Sequence, residues 1–295
     1  MNKHIIRCVA LALAVFSLAA CGDDLEPTQP QDPKSTPMTF VVDYPGQTRA
    51  TATDFERNDR IGLYVADARE PLELAGNLVN NEALTFDGST WQASRTLYWD
   101  DGSFNAYAYY PYMQDVTSVT DQPFSVSTDQ STSKTATALG GYEASDLLFA
   151  TTKDIKASDS PVKLTFRHIM SKLRIRLIKG EDFEGDMPTT AKVYIHNTVP
   201  TATIDLQAGV ATRYVKGTRQ TIIAHQDGDT SYSAIIVPQR IDNRQPLVEV
   251  EMMGVSYLFE SKFLFKPGTE HLVNLVISEN PDKVKISIGG EKQNW

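Results

Sequence analysis

The sequence predicts an all-β protein whose folded part consists of two tandem β-sandwich domains. Apolar residues recur with a period of two, in short runs that end at Gly, Asp, Asn or Pro. The 295 residues are enough to bury one large or two medium cores, and no internal repeat is evident. Many short strands separated by turn residues are typical of sandwiches rather than of α/β folds.

Residues 1–20 have the composition of a bacterial signal peptide. Basic residues precede an apolar run at positions 9–18, which is too short to span a bilayer. Small residues then precede Cys21, as in the lipobox of bacterial lipoproteins, where the thiol is acylated before the chain is cut. We therefore expect a lipoprotein that is tethered through Cys21. An ordinary secretory signal with a chance cysteine is the alternative.

Residues 21–37 are rich in acid, Pro, Gln, Ser and Thr, a composition that predicts a disordered linker. Asp23 and Asp24 resemble the acidic signal that sends Bacteroidales lipoproteins to the outer cell surface, although any linker can be acidic. Cys8 is lost when the signal peptide is cleaved, which leaves the acylated Cys21 as the remaining cysteine. No internal disulfide can then form, so stability must come from burial of the core.

The net charge argues against a nucleic-acid partner. The chain has 28 basic and 37 acidic residues, a balance of −9, and loss of Lys3 and Arg7 with the signal peptide brings it to −11. Phosphate binding requires clustered Lys and Arg, and the same holds for anionic lipid surfaces. The predicted tether at Cys21 is therefore the sole membrane contact that we expect.

The first predicted domain covers residues 38–157. Phe40, Val42 and Tyr44 share one face of its first strand, which Pro45 and Gly46 end. Asp87 and Gly88 predict a hairpin. The other predicted strands are residues 60–65, 83–86, 91–93, 97–99, 104–110 and 147–150.

Aromatic residues are concentrated between positions 98 and 112. Alternation places Tyr107 and Tyr109 on the face opposite to Phe104 and Tyr110. A platform on which sugars stack is one interpretation of this pattern. We favour core packing on one face with an exposed rank of tyrosines on the other.

The second predicted domain covers residues 158–295, after a polar stretch at 153–159. Leu173, Ile175 and Leu177 alternate with basic residues, which predicts a half-buried strand. Residues 167–171 are expected to form one helical turn. The other predicted strands are residues 162–166, 191–195, 202–206, 233–237, 247–252, 257–265, 272–277 and 284–288.

No catalytic or metal-binding set emerges from the sequence. Walker, HExxH, GxSxG, CxxC and EF-hand patterns are missing from it. The four histidines after the signal peptide are not at metal-ligand spacing, and Asp227 and Asp229 fit a hairpin turn better than a Ca²⁺ loop. We therefore predict a protein without enzymatic activity, cofactor or metal.

Several short patterns together resemble the fimbrillin family, the subunits of type V pili in Bacteroidales. Their order and spacing extend over nearly the whole chain after the linker. Arg60 stands where that family usually has Lys, and His271 follows Glu270 where it tends to have an aromatic residue. The matching stretches are residues 48–50 (TRA), 59–64 (DRIGLY), 98–112, 145–150 (SDLLFA), 166–173 (FRHIMSKL), 236–239 (IVPQ) and 265–268 (FKPG).

The resemblance implies two transthyretin-like β-sandwich domains and a subunit that polymerises with other pilins at the outer membrane. In that family an Arg-specific protease cuts an early loop, the first strand departs, and a strand of a neighbouring subunit fills the groove. On this chain the departing strand would carry Phe40, Val42 and Tyr44. Arg49 would be the cleavage site, with Arg57 and Arg60 less suited; the alternative is that Arg49 is an ordinary loop arginine. The candidate donor strand carries Val284, Ile286 and Ile288, which are equally able to pair within their own domain.

A structural subunit or adhesin of a fimbria is thus the predicted function, with stalk, tip and anchor roles all open. The alternative is a surface glycan-binding lipoprotein of a nutrient-uptake system, which is also a lipid-tethered β-sandwich. Its signature is a row of exposed Trp or Tyr residues. The chain has only three Trp residues, so this function ranks second.

Overall fold

The computed structural model describes residues 33–44, 55–293 and 295. β-Strands are the main regular structure of these residues and very few residues are helical, so the all-β prediction is confirmed. Helical structure in the described ranges is limited to α1 (Gly141–Ser145) and two short 3₁₀ turns, none of which is long or apolar enough to cross a membrane. The predicted signal peptide, Cys21 and Arg49 lie outside the described residues.

Twenty strands follow one another along the described part of the chain. They are β1 (Phe40–Asp43), β2 (Arg60–Asp67), β3 (Val79–Phe86), β4 (Trp91–Ala93), β5 (Ser103–Tyr110), β6 (Gln122–Ser125), β7 (Leu148–Lys156), β8 (Val162–Thr165), β9 (Arg167–His168), β10 (Ser171–Lys179), β11 (Lys192–Thr198), β12 (Thr201–Asp205), β13 (Val210–Arg213), β14 (Gln220–Ile223), β15 (His225–Gly228), β16 (Ser231–Ile236), β17 (Gln239–Met252), β18 (Val255–Phe265), β19 (Thr269–Ile277) and β20 (Lys285–Gln293).

The early strands form a six-stranded antiparallel sheet with the order β4-β3-β2-β5-β7-β9. The predicted hairpin at Asp87 and Gly88 is confirmed, because Phe86 of β3 pairs with Trp91 of β4. One face of this sheet packs into a first core, which also contains Trp99 and Leu164. β1 and β8 pair in parallel as a separate two-stranded sheet and add their side chains to the same core.

The central strand β5 is buried on both faces. Tyr107 and Tyr109 are only 4% and 1% exposed and belong to a second core, which is built mainly by later strands. The predicted exposed rank of tyrosines is therefore wrong, because strand alternation cannot reveal that both faces of a sheet are covered. Gly62 makes room for the ring of Tyr109, whose hydroxyl donates to Asn81 Oδ1 at 2.6 Å. These two tyrosines cannot serve as a sugar platform.

Two further sheets fill the second core from the later part of the chain. Their orders are β15-β16-β10-β19-β20 and β14-β11-β17-β18. Leu173, Ile175 and Leu177 point inward from β10, as the alternation predicted. Residues 167–171 are extended and not helical, since β9 pairs with β7 and Ser171 begins the β10 ladders with β16 and β19.

Some strand pairs join the two halves of the sequence. β6 pairs with β12 in a three-stranded sheet that also contains β13. β8 and β9 follow the predicted boundary at residue 157 and yet pair with β1 and β7, which precede it. The division into two domains at that residue remains a prediction.

Candidate strand-exchange site

Every second side chain of residues 36–44 points inward, and those from Met38 onward pack into the first core. Thr36 and Met38 are buried, and Phe40, Val42 and Tyr44 are partly buried against the same core. The inward row thus contains the three residues expected from the sequence and extends two positions further towards the N-terminus.

Main-chain hydrogen bonds hold this segment to two neighbours. Met38 N donates to Leu97 O at 2.8 Å, and Trp99 N donates to Thr36 O at 3.0 Å. Beyond these, β1 runs parallel to β8 in a register that pairs Phe40 with Val162. Both strands are four residues long, so the ladder is short.

Within the residues that the structure describes, the other edge of β1 has no strand partner. Two grooves of about 460 and 480 Å³ adjoin it, and both are lined by Phe40, Val41, Thr90 and Trp91. Val41 points outward and is 48% exposed. A short strand that pairs on one edge and is flanked by grooves is held less firmly than a central strand of a sheet.

Phe55 is the centre of an aromatic cluster beside the end of β1. Its ring lies edge-on to Tyr44 with 5.0 Å between ring centroids. It is 5.0 Å from Trp91, 5.3 Å from Tyr110 and 5.7 Å from Phe166. Edge-to-face pairs at such distances add to the free energy of burial. Phe55 therefore shapes the wall of the site that Tyr44 fills.

The turn after Phe55 is fastened to the body of the protein. Lys134 Nζ lies 2.8 Å from Glu56 Oε2 and 3.1 Å from Asp59 Oδ1, and Asp59 is buried. Burial opposes the charged form of Lys134, but its hydrogen bonds to the two carboxylates outweigh that effect and raise its pKa. Asn58 N also donates to Phe86 O at 2.8 Å. This turn stays in place through contacts that do not involve β1.

Arg57 and Arg60, the two less suited cleavage candidates, lie within the described residues. Arg57 belongs to the fastened turn, and Arg60 begins β2, where it pairs with Thr85. Its carbonyl accepts from Tyr112 N at 2.9 Å, and its guanidinium stacks on the Tyr112 ring at 4.5 Å. Proteases prefer exposed loops whose backbone is not hydrogen-bonded, which agrees with the prediction that these two arginines are less suited to cleavage.

A buried imidazole connects two of the sequence patterns. His168 is 2% exposed, and its Nδ1 lies 2.8 Å from Asp146 Oδ1. Trp295 stacks on the imidazole with 3.5 Å between ring centroids, and Tyr44 approaches its edge at 6.1 Å. Residues that are far apart in the sequence form this cluster, so no local pattern predicts it.

The candidate donor strand is paired within its own chain. β20 lies at one edge of its five-stranded sheet, antiparallel to β19. Val284 and Ile286 pack partly against the second core. Ile288 is 70% exposed, although it lies opposite Val273, which is fully buried. Pairing with β19 therefore leaves one of the three apolar side chains largely in water.

His271, the departure from the family pattern, is buried on β19, where it pairs with Glu291 of β20. Its Nε2 accepts from Lys266 N at 3.1 Å, and its Nδ1 lies 3.4 Å from Glu291 Oε1. Burial lowers the pKa of His271; Glu291 opposes this effect and Lys266 adds to it. No three His, Cys, Asp or Glu residues of the described ranges are grouped as metal ligands.

Comparisons with known proteins identify a matching family, a curated relative and solved structures of similar fold. A family model described as fimbrillin-like matches residues 48–295. A curated relative, Fim1C of Bacteroides ovatus, is a candidate fimbrium tip subunit and is 30% identical over 132 residues. The match covers 41% of this chain and 24% of the relative, so it spans about a quarter of that protein.

Solved structures with the same fold come from Bacteroides and Porphyromonas. A candidate cell adhesion protein of Bacteroides uniformis superposes with a TM-score of 0.67 at 20% identity, covering 88% of this chain and 97% of the other. One from Bacteroides ovatus has a TM-score of 0.67 at 19% identity, with 87% and 97% covered. The tip fimbrial protein Mfa3 of Porphyromonas gingivalis has a TM-score of 0.50 at 9% identity, with 81% and 95% covered. At these identities the likeness shows the fold.

Proposed function

The chain belongs to the fimbrillin-like family, and from this we propose that it is a structural subunit or adhesin of a cell-surface fimbria, assembled by proteolysis-triggered strand exchange. In this proposal residues 38–157 and 158–295 are two transthyretin-like β-sandwich domains. The protein has no enzymatic activity, and its partners are other pilin subunits.

The observation that supports the proposal most strongly is the packing of residues 36–44 against the first core. Their inward side chains pack against the first core, yet among the described residues β1 pairs with a strand on one edge alone. Removal of this segment would expose apolar core together with the unpaired edge of β8. Both favour the addition of another strand, whose backbone bonds supply continuity while its alternate side chains fill the emptied sites.

Arg49 is the proposed cleavage site. It is the one arginine between Tyr44 and Phe55 in the sequence, and so it lies between the departing segment and the fastened turn. A cut there would release Tyr44 and the residues before it, while Phe55 would remain bound to its aromatic neighbours. The groove would then keep its wall after β1 leaves.

β20 is the proposed donor strand. Val284, Ile286 and Ile288 alternate with polar residues, and Ile288 is poorly buried in the pairing with β19. A groove that buries all three side chains would gain roughly 25 cal/mol for each Å² of additional apolar area removed from water. This gain favours release of β20 to a neighbouring subunit.

Delivery to the surface completes the proposal. The signal peptide would export the chain, and acylated Cys21 would tether the precursor to the outer membrane. If an Arg-specific surface protease cuts at Arg49, the mature subunit leaves its lipid behind and enters the fimbria. If no cut occurs, Cys21 remains as a permanent anchor.

Proteolysis with an Arg-specific enzyme tests this function. The purified protein is digested and run on an unheated gel, beside an Arg49→Lys variant that keeps the charge and resists the enzyme. We expect ladders of bound subunits from the natural sequence and monomer from the variant. Cleavage near Arg49 that yields a stable monomer would contradict polymerisation.

A further inference from the structure

We propose that, where both are present, the groove of residues 36–44 binds a strand from a different subunit, one with an aromatic side chain at its fifth inward position, more tightly than β20 of a second copy of this chain. In purified protein, where no other strand competes, β20 of a second copy enters the groove. The inference rests on the proposed strand exchange and identifies the partner for it. It follows from comparing the side chains that occupy the groove with those that β20 offers.

The groove has five inward positions of distinct character. Thr36 and Met38 occupy two closed positions, Phe40 and Val42 occupy partly covered ones, and Tyr44 occupies the last. Aromatic rings surround that last position, since Phe55 lies 5.0 Å and His168 lies 6.1 Å from the Tyr44 ring centroid. Ring walls at these spacings favour an aromatic occupant over an aliphatic one.

The corresponding row of β20 cannot supply such an occupant. It consists of Val284, Ile286, Ile288, Gly290 and Lys292. If its three apolar residues take the positions of Met38, Phe40 and Val42, Gly290 falls at the position of Tyr44. That placement leaves a void among the aromatic rings, and the rings lose their contacts.

Other registers of β20 are no better. A shift by two residues places Ile288 at the position of Tyr44, but it also places Asp282 at the closed position of Met38. A carboxylate without a partner is costly to bury there. A shift by one residue turns Lys283, Lys285 and Ser287 inward. Residues 282–293 contain no aromatic side chain, so reversing the strand direction does not help.

Peptide binding to an opened groove tests the preference. A recognition sequence for a specific protease is placed within residues 45–54 of the full chain, which makes opening independent of Arg49. Three labelled peptides then compete with the resident segment in the cut protein. They are residues 36–44, residues 282–293, and residues 282–293 with Gly290→Tyr, and native mass spectrometry counts each complex.

We expect the Gly290→Tyr peptide to bind at least about tenfold more tightly than the unchanged peptide of residues 282–293, because it fills the aromatic position. Equal binding of these two peptides would overturn the preference for a different subunit. Failure of the peptide of residues 36–44 to bind would instead overturn strand exchange itself, so the two failures are distinguishable.

Substitution of Phe55 tests whether its ring causes the preference for an aromatic side chain at the fifth position. In Phe55→Ala protein the difference between the two peptides should fall below about threefold, since the ring that faces the fifth position is gone. Phe55→Leu keeps most of the volume and serves if the alanine variant does not fold. Phe124→Ala is the matched control, because Phe124 packs against the second core, and it should keep the full difference. An undiminished difference in both Phe55 variants would contradict the assignment.

Discussion

Tyr44 and Phe55 meet edge to face, with 5.0 Å between ring centroids and 77° between ring planes. The contact joins the end of β1 to a turn that Lys134 fastens from another part of the chain. One ring belongs to the segment that we propose departs, and the other belongs to the wall that remains. The contact therefore stabilises β1 in this structure and, under the proposed strand exchange, shapes the site that a partner would fill.

Truncation of Tyr44 should weaken the seating of β1. We expect Tyr44→Ala to lower the free energy of unfolding by about 1–3 kcal/mol, because a partly buried ring and its edge contacts are lost. Denaturant titration measures the change. Val41→Ala is the control from the same strand, since Val41 points outward, and it should stay within about 0.5 kcal/mol of the natural protein. Equal losses in both variants would contradict the inward row.

Removal of Lys134 should destabilise the protein more than removal of a lysine from an exposed ion pair. Lys134→Met leaves buried Asp59 without its cation, at a cost of about 1–3 kcal/mol. Lys163→Met is the control, because Lys163 and Asp43 are 66% and 41% exposed and such pairs contribute about 0–1 kcal/mol. Indistinguishable unfolding curves for the two variants would argue against the fastened turn.

The Lys134 contribution should also depend on pH in a defined direction. The pKa of Lys134 is raised above its ordinary value of 10.5. The stabilisation is therefore complete below that ordinary value and is lost as the pH rises through the raised one. The difference in stability between the natural protein and Lys134→Met should shrink in strongly alkaline buffer and stay constant near neutrality.

His271 should make the protein less stable in mild acid. The pKa of His271 is lowered, chiefly by burial, so the unfolded chain binds a proton more readily than the folded one. Stability is then lost as the pH falls below the ordinary value of 6.5 towards the lowered one. His271→Phe removes this group, and its melting temperature should fall less than that of the natural protein between about pH 7.5 and pH 5. Parallel pH profiles would contradict the assignment to His271.

A side chain at Gly62 should collide with Tyr109. An added Cβ would lie 2.3 Å from the ring of this buried residue, and overpacking of this kind costs about 1–3 kcal/mol. Gly228→Ala is the control, since no atom beyond its two chain neighbours lies within 4 Å of its added Cβ. A Gly62→Ala protein as stable as this control would contradict the burial of Tyr109.

Local periodicity explains what the sequence could predict. The alternation of Phe40, Val42 and Tyr44 follows from a period of two, which any strand obeys. Thr36 and Met38 gave no such signal, because one is polar and Pro37 separates them. Their burial depends on pairing with residues 97–99, which no local pattern reveals.

Local sequence patterns could not predict contacts between segments that are far apart in the sequence. Tyr107 and Tyr109 are buried because later strands cover their face of the sheet. The cluster of His168, Asp146 and Trp295 joins three separate segments through a hydrogen bond and a ring stack. The sequence did identify the motifs around His168 and Asp146, but it did not indicate that they meet.

The central claim is that β1 must leave before subunits join, and a removable cross-link tests it most directly. Val41 of β1 lies opposite Lys163 of β8, and both side chains are exposed. Val41→Cys with Lys163→Cys, in a chain where Cys21 is Ser, allows a disulfide that retains β1 after cleavage at Arg49. We predict that the oxidised, cleaved protein stays monomeric on an unheated gel and that a reductant restores the ladders. Ladders of equal intensity from the verified cross-linked form would contradict the claim.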